Sequence, residues 1–366
     1  MAEQERTAPP TGSGWGRVAG IVSLVAVVLS LLVTTFAWPG ARGEAAGMSI
    51  AVTGDTELVE EFMANAGQGL GEVVDLEEVD SREVAEDGIK ERGFIGALVL
   101  VDGAPEVLTA SANGQVPAAF MTEMSAQLQT MLDTQIYAGM RGGVEGAAAS
   151  GTDPSVVVGQ MPESLPQVTV TDVVPYSDGD PNGVGATTAG IPLTVGALLA
   201  GLVIAYTITG AWRKIGAVLG LGIGGGLLLT LILSTWLQVY PGSFGTVWLA
   251  LGLSLTATSG LFAGLYSAFG RVGLGVAAGL TLFAAMPWAA FAVPYEFLPA
   301  GLGHIGQWLI PGATITLTRV VAYFPEASAA MQWWVLAGWS LLGIVLTLVV
   351  RRDRTPAPSA HEGERA

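Results

Sequence analysis

The residues best suited to chemistry lie in one stretch, 293–325, which mixes ionisable side chains with prolines. Its candidate site residues are Glu296, His304, Pro311 and Arg319. A carboxylate and a guanidinium near lipid tend to pair or to line a pathway, so Glu296 and Arg319 are predicted to form an ion pair in an outer gate. A second interpretation makes the stretch an interfacial cap in which Arg319 extends to lipid phosphate.

Other kinds of chemistry have no matching residues. The chain has no cysteine, which excludes disulfides, thiolate metal sites and cysteine nucleophiles. His304 and His361 are the only histidines, and neither Lys90 nor Lys214 stands in the Gly-Lys-Ser/Thr pattern that cradles phosphate. We therefore expect no enzyme activity, no cofactor and no metal site. The net charge of −16 argues against binding to nucleic acid.

The elements that position stretch 293–325 are predicted to be membrane helices. The chain has 366 residues, of which 51% are hydrophobic and 13% charged, and its mean hydropathy is +0.55. Six stretches have the roughly 20 apolar residues that cross a hydrocarbon core, at 18–38, 188–209, 215–237, 246–269, 272–293 and 333–350. Pro287 is expected to kink the fifth. Stretch 293–332 is then an outer re-entrant segment, since irregular backbone at membrane depth must be satisfied by protein or water.

The basic residues predict the orientation, because short cytoplasmic segments keep Lys and Arg. With both termini inside a bacterial plasma membrane, nine basic residues fall on the cytoplasmic side: Arg6, Arg17, Arg213, Lys214, Arg271, Arg351, Arg352, Arg354 and Arg365. The predicted parts are a cytoplasmic tail (1–16), an anchor helix (17–38), an extracytoplasmic domain (39–187), a five-helix membrane domain (188–350) and a second tail (351–366). A cleaved signal peptide is the alternative for the first span, although its apolar stretch exceeds the usual length.

Residues 39–187 have a different composition. They contain 24 Asp and Glu against 5 Lys and Arg, a formal charge of −19. Their hydrophobic pattern predicts an α/β domain with five strands, beginning with the strand MSIAVTG, and helices between them. Asp80 and Glu83 have the spacing of a helix capping box, and Gly93 is placed to end that helix. Residues 141–185 are predicted to be a flexible connector around the fifth strand. The predicted fold class is a membrane all-α bundle with an inserted extracytoplasmic α/β domain.

Glycines in the third apolar stretch predict close helix packing. Gly216, Gly220 and Gly224 stand four residues apart, a spacing that lets a neighbouring helix approach, and Gly222 and Gly226 repeat it. The alternative is that these glycines allow helices to slide or bend.

The order of these parts resembles the membrane subunits of type-2 ABC exporters and the phage-infection-protein family. SREVAEDGIKERGFIGALVLVDGAPEVLTASANG is similar to the external segment of those proteins, and HIGQWLIPGATITLTRVVAYF is similar to their outer segment, with Pro311, Gly312 and Arg319 at matching places. The resemblance covers about residues 17–350. It implies export of a hydrophobic or amphipathic substrate, or a part in a secretion apparatus. It also implies a lipid-embedded homo- or hetero-oligomer and, in the ABC branch, a separate ATPase subunit.

The sequence therefore predicts a polytopic transport or export component without its own ATPase. The alternatives are a non-transporting membrane scaffold or receptor, whose acidic outer domain binds a partner, and an ATPase-independent secretion accessory protein. The substrate is not encoded in any readable motif.

Overall fold

The computed structural model of the chain describes residues 48–66, 74–102, 104–151, 153, 166–291 and 293–349, with six helical positions between 23 and 34. The predicted tails and most of the predicted anchor helix lie outside the described residues. The described chain forms a sheet region, from 48 to 172, and a helical bundle, from 184 to 349.

The sheet region confirms the α/β pattern expected for residues 39–187. Its strands are β1 (Met48–Gly54), β2 (Val74–Glu78), β3 (Gly96–Leu100), β4 (Glu106–Thr109) and β5 (Thr169–Asp172). They form one sheet in the order β2-β1-β3-β4-β5. β1 is parallel to β2 and β3, β3 and β4 form an antiparallel pair, and β5 is parallel to β4.

Three helices accompany the strands: α1 (Thr56–Ala66), α2 (Arg82–Lys90) and α3 (Gln115–Ala149). The N-cap of α2 is Ser81, whose hydroxyl accepts from the Val84 N–H at 3.3 Å, so the expected cap at Asp80 is one residue too early. α3 continues to Ala149 and so occupies the first part of the stretch 141–185, which the sequence predicted to be a flexible connector.

An ion-pair network ties α2 to the edge of the sheet that carries β5. Arg82 donates to both carboxylate oxygens of Glu106 at 2.8 and 3.0 Å, and to Glu86 at 2.7 Å. Thr171 also donates to Glu106, at 2.5 Å. This arrangement, with the Arg82 pair as its largest cause, holds the pKa of Glu106 below its ordinary value.

The two faces of the sheet bury different partners. Ile50, Val52, Leu98 and Val107 pack with α1 and α3, whereas alternate residues on the same strands face α2. That second face also packs against one end of the helical bundle, through Val239, Tyr240, Ala322, Tyr323 and Phe324. The sheet region and the bundle therefore share one hydrophobic core.

The bundle contains four helices long and apolar enough to cross a membrane: α4 (Val184–Thr207), α5 (Ala211–Trp236), α6 (Phe244–Phe269) and α10 (Ala330–Val349). They match four of the six predicted spans. The fifth is a shorter helix, α7 (Arg271–Ala285), which ends before Pro287, where proline lacks the N–H that would continue it. The predicted first span lies largely outside the described residues.

α6 is the central helix, because 83% of its most apolar window is buried, against 22–39% for the other three spans. It packs against a part of α5 that contains two π-helical turns, at Leu221–Gly225 and Leu231–Trp236. The Trp248 indole N–H of α6 donates to the Ile223 carbonyl in the first of these turns, at 3.0 Å. In a π turn the backbone hydrogen bonds span five residues instead of four. Here the Trp248 side chain donates to a carbonyl within such a turn.

Close packing of α5 on α6 occurs at Gly222 and Gly226, where an added Cβ would meet Gly252 of α6 within 3 Å. At Gly216, Gly220 and Gly224, an added Cβ would meet nothing within 4 Å among the described residues. Within the described chain, the helix contact therefore uses the second glycine pair, and the predicted triplet points away from α6.

Candidate functional site at the junction of sheet and bundle

A helical hairpin of the bundle lies next to the junction, the place where the sheet region packs against one end of the bundle. It consists of α8 (Leu302–Gly306) and α9 (Ile310–Tyr323), joined by a tight turn. The Trp339 indole N–H of α10 donates to the carbonyl of Trp308 in that turn at 2.9 Å. Trp339 is nine residues into α10, so the turn lies about 13 Å along the bundle from the sheet-side end. The other end of α9 returns to the sheet at Tyr323.

Small residues let this hairpin pack without gaps. A Cβ added at Gly306 would overlap the Trp288 carbonyl, and one at Gly312 would overlap the Gly306 carbonyl. Pro311, one of the predicted site residues, is buried in the first turn of α9, where a proline costs no helical hydrogen bond. Pro311 therefore begins α9, the second helix of the hairpin.

Arg319 is the charged residue of α9. Its guanidinium is partly buried and donates to the Phe291 carbonyl at 3.4 Å, a long hydrogen bond. It faces a cavity of about 10 Å³, room for roughly one water molecule. The cavity is lined from both sides of the junction. Ala112 belongs to the sheet region, Tyr176 follows β5, and the other lining residues belong to the bundle: Ala186, Thr187, Tyr240, Ile315, Thr318 and Tyr323.

Glu296 does not form the predicted ion pair with Arg319. One carboxylate oxygen of Glu296 is buried and has no hydrogen-bond partner among the described residues, although the group is within electrostatic range of Arg319. His304 is exposed on α8, with its ring edge-on to Tyr295 at 5.2 Å between centroids. The structure thus places Glu296 near Arg319 but leaves His304 and Pro311 outside the cavity lining.

Arg92, which the sequence did not single out, brings a second guanidinium to the junction. α2 ends in a Schellman turn: the Gly93 N–H donates to the Gly88 carbonyl at 2.8 Å, and the Arg92 N–H donates to Ile89 at 3.0 Å. This turn places Arg92, at φ +64°, in the left-handed position that glycine usually takes. Its guanidinium lies 5.6 Å from the centre of the Phe324 ring, and its Nε is buried without a hydrogen-bond partner.

Charged groups of both signs meet at the junction. Arg92 and Glu296 both act electrostatically on Arg319, with opposite signs. Burial raises the pKa of Tyr176 and Tyr240, so these phenols are neutral near pH 7. The buried Asp180 carboxylate accepts hydrogen bonds from the Gly185 and Ala186 N–H groups beside the same tyrosines, so two guanidiniums are accompanied by two carboxylates.

Gln307, in the hairpin turn, is the other unusual polar group. It is 2% exposed, and among the described residues neither its amide oxygen nor its amide nitrogen has a hydrogen-bond partner. A buried amide normally has partners in the protein or in water. Gln307 therefore brings two strongly polar groups to a point about 13 Å along the bundle. Among the described residues, no group of three or more His, Cys, Asp or Glu is placed to hold a metal ion.

In comparisons with known proteins, no family model and no curated protein matches this chain. The resemblance to type-2 ABC exporters therefore stays a prediction.

Sequence reasoning found part of this site. It singled out Arg319 and Glu296, because prolines and charges interrupt an otherwise apolar run. The re-entrant membrane segment at 293–332 stays a prediction. Sequence reasoning missed Arg92, whose neighbour Gly93 is the usual residue for the left-handed position. It also missed the tyrosine lining, because Tyr176, Tyr240 and Tyr323 are far apart in sequence and meet only through the shared core.

Proposed function

We propose that the protein is a membrane transport or export component, and that the junction of sheet and bundle closes its outer end. The observation that carries this proposal is the α8–α9 hairpin. It enters the bundle to about 13 Å, presents Arg319 to a nearly closed cavity and leaves Gln307 without a hydrogen-bond partner among the described residues. Ionisable and unsatisfied polar groups at such depth are typical of a pathway.

Charge placement supports the proposed orientation, with the sheet region outside a bacterial plasma membrane. Arg213, Lys214 and Arg271 stand at the starts of α5 and α7, away from the sheet. The α5–α6 loop, residues 237–243, touches the sheet and contains no Lys or Arg. This asymmetry agrees with the rule that short cytoplasmic segments keep basic residues. Energy would come from a separate ATPase subunit, as the exporter resemblance implies, or from an ATPase-free mechanism.

A reactivity experiment tests the pathway without knowledge of the substrate. Because the chain has no cysteine, single reporters can be placed at Gln307 and Thr318, which are 2% and 3% exposed. In proteoliposomes, both should react over minutes to hours with a small, charged, thiol-specific reagent, because a transporter populates its open state at equilibrium even without an energy source and that state exposes the site to water. Ser259→Cys is the matched control: it is 0% exposed and packs against Gly201 of α4.

The competing function is a rigid scaffold or receptor. The shared core favours it, because Tyr323 and Phe324 of the bundle pack directly against the sheet region and would resist motion. Under this function the reporters at Gln307 and Thr318 should remain as unreactive as the Ser259 control. Equal protection at all three positions would reject transport.

A further inference from the structure

We propose that a basic cluster at the end of the bundle away from the sheet binds the phosphate of an anionic phospholipid. The cluster consists of Arg213 and Lys214 at the start of α5 and Arg271 at the start of α7. This second site is independent of transport. It requires only that the four long apolar helices lie in a membrane.

The buried lysine of the cluster has no counter-charge among the described residues. Lys214 is the fourth residue of α5 and is 8% exposed. Its ammonium donates to the Ser267 hydroxyl of α6 at 3.1 Å and lies 4.8 Å from the centre of the Tyr266 ring. The ion pairs of the described chain involve Arg82 and Lys90 instead. A buried charge is costly unless it is paired, so an anion from outside the chain would stabilise Lys214.

The charges at this end of the described bundle have one sign. Both arginines of the cluster are exposed, at 213 and 271. From residue 180 to residue 349 the chain has three acidic residues, and all lie at the sheet end. Asp180 precedes α4 and caps its start, Glu296 is within electrostatic range of Arg319, and Glu326 lines a groove beside the sheet. The cluster therefore has no carboxylate beside it in the described chain.

The tails do not contain the missing negative charge. Residues 1–17 and 351–366, which the predicted orientation places on the same side as the cluster, together contain six arginines and five acidic residues. Their acidic groups are thus outnumbered by their own arginines. A net negative partner for the cluster must come from another molecule.

Backbone groups at the same end also favour an anion. α5 and α7 begin here, after Gly210 and Gly270, and no side chain in the described chain caps either helix. The N–H groups in the first turn of a helix have no partner within the helix and carry partial positive charge. Such groups bind phosphate oxygens well, and here they add donors to those of the basic side chains.

The exposed neighbours of the cluster select a lipid over a soluble anion. Trp212, Phe269 and Val272 each lie within two residues of an arginine of the cluster, and they are 71%, 59% and 73% exposed. Tryptophan prefers the membrane interface, and Lys214 lies only about 3 Å further along the helix than Trp212, which is head-group depth. A phospholipid would place its phosphate on the cluster and its chains along these apolar side chains.

The binding experiment uses the full chain in phosphatidylcholine nanodiscs and follows its thermal unfolding midpoint as the fraction of phosphatidylglycerol increases. The midpoint should rise and then level off, because a ligand that binds the folded state stabilises it until its site is filled. Glycerol 3-phosphate and a hexaglutamate peptide, each added to phosphatidylcholine discs, should leave the midpoint unchanged.

Variants assign the effect to the cluster. Arg213→Gln and Arg271→Gln change exposed side chains, and each should raise the phosphatidylglycerol fraction needed for half of the rise by about fivefold. Lys214→Gln should raise it at least as much. Lys214→Arg keeps the charge and should respond as the wild type does, which protects the test if Lys214→Gln folds poorly. Arg141→Gln, which removes an exposed arginine of α3, is the matched control and should also respond as the wild type does.

Three results would overturn the inference: a midpoint that phosphatidylglycerol does not raise, a response that all three glutamine variants of the cluster retain, or a soluble probe that acts as phosphatidylglycerol does. A rise with glycerol 3-phosphate would identify a site for free phosphate esters, and a rise with hexaglutamate would identify a docking surface for an acidic protein. The reactivity of cysteines at Gln307 and Thr318 is measured separately, so lipid binding and transport can each fail alone.

Discussion

Arg92 holds a backbone conformation that its side chain disfavours, and a pair of substitutions can measure this strain. Both Arg92→Gly and Arg92→Ala remove the guanidinium and its 5.6 Å contact with the Phe324 ring. They differ in the turn at the end of α2, where φ is +64°. Glycine adopts this conformation freely, whereas alanine retains the clash of Cβ with the backbone.

The expected difference follows from two opposing terms. The left-handed conformation costs a residue with Cβ about 1–2 kcal/mol. Glycine adds about 0.4–1 kcal/mol of unfolded-state freedom, which acts against its own variant. Arg92→Gly should therefore be more stable than Arg92→Ala by about 1 kcal/mol, or about 2–4 °C in midpoint for a unit of this size.

Thermal or urea unfolding of the full chain in detergent measures the order of the two variants. Asp87, an exposed residue inside the same helix, supplies the control, because glycine there should be less stable than alanine by about 1 kcal/mol. The order must therefore reverse between the two positions. If Arg92→Ala is as stable as Arg92→Gly, the strain argument for Arg92 is wrong.

Two further predictions concern charge. The low pKa of Glu106, due mainly to Arg82, means that the pair stabilises the fold above about pH 4.5, and that this contribution is lost as pH falls through the folded pKa. Glu106→Gln should thus be less stable than wild type at pH 7 and show a shallower loss of stability in acid, whereas parallel curves would contradict the linkage. For the orientation, a cysteine at Ser177 should react with an impermeant reagent in intact cells and one at Ser359 should not; the opposite labelling would invert the topology.

The sheet region was predicted well because each of its strands follows the spacing of apolar and turn residues within one short segment. Strands β1 to β4 follow alternating or continuous apolar runs between turn residues. The predicted strand MSIAVTG is β1, and the sheet has the five strands that were expected. The errors were at boundaries: Ser81 rather than Asp80 caps α2, and α3 continues to Ala149. Its last turns contain glycines, which disfavour helix in isolation, so propensity predicted an earlier end.

The junction was harder to predict because it depends on contacts between distant segments. The Arg319–Glu296 pairing was inferred from their presence in one stretch, but the structure leaves the two groups within electrostatic range of each other without an ion pair between them. Helix packing at Gly222 and Gly226 rather than at Gly216, Gly220 and Gly224 depends on which side of α5 faces α6. The four-residue spacing of glycines does not show which side of α5 faces α6.

The shared core also sets the order in which the protein can be built. The second face of the sheet includes Ala97, Val99 and Leu108, and its partners Tyr323 and Phe324 are synthesised more than two hundred residues later. At about 5–20 residues per second, the nascent sheet waits roughly 10–45 s for them. During that interval part of its apolar face has no cover, which is the condition under which nascent chains aggregate or recruit chaperones. Folding of this protein is therefore completed late, when the end of α9 has been synthesised and packs against a sheet that was made first.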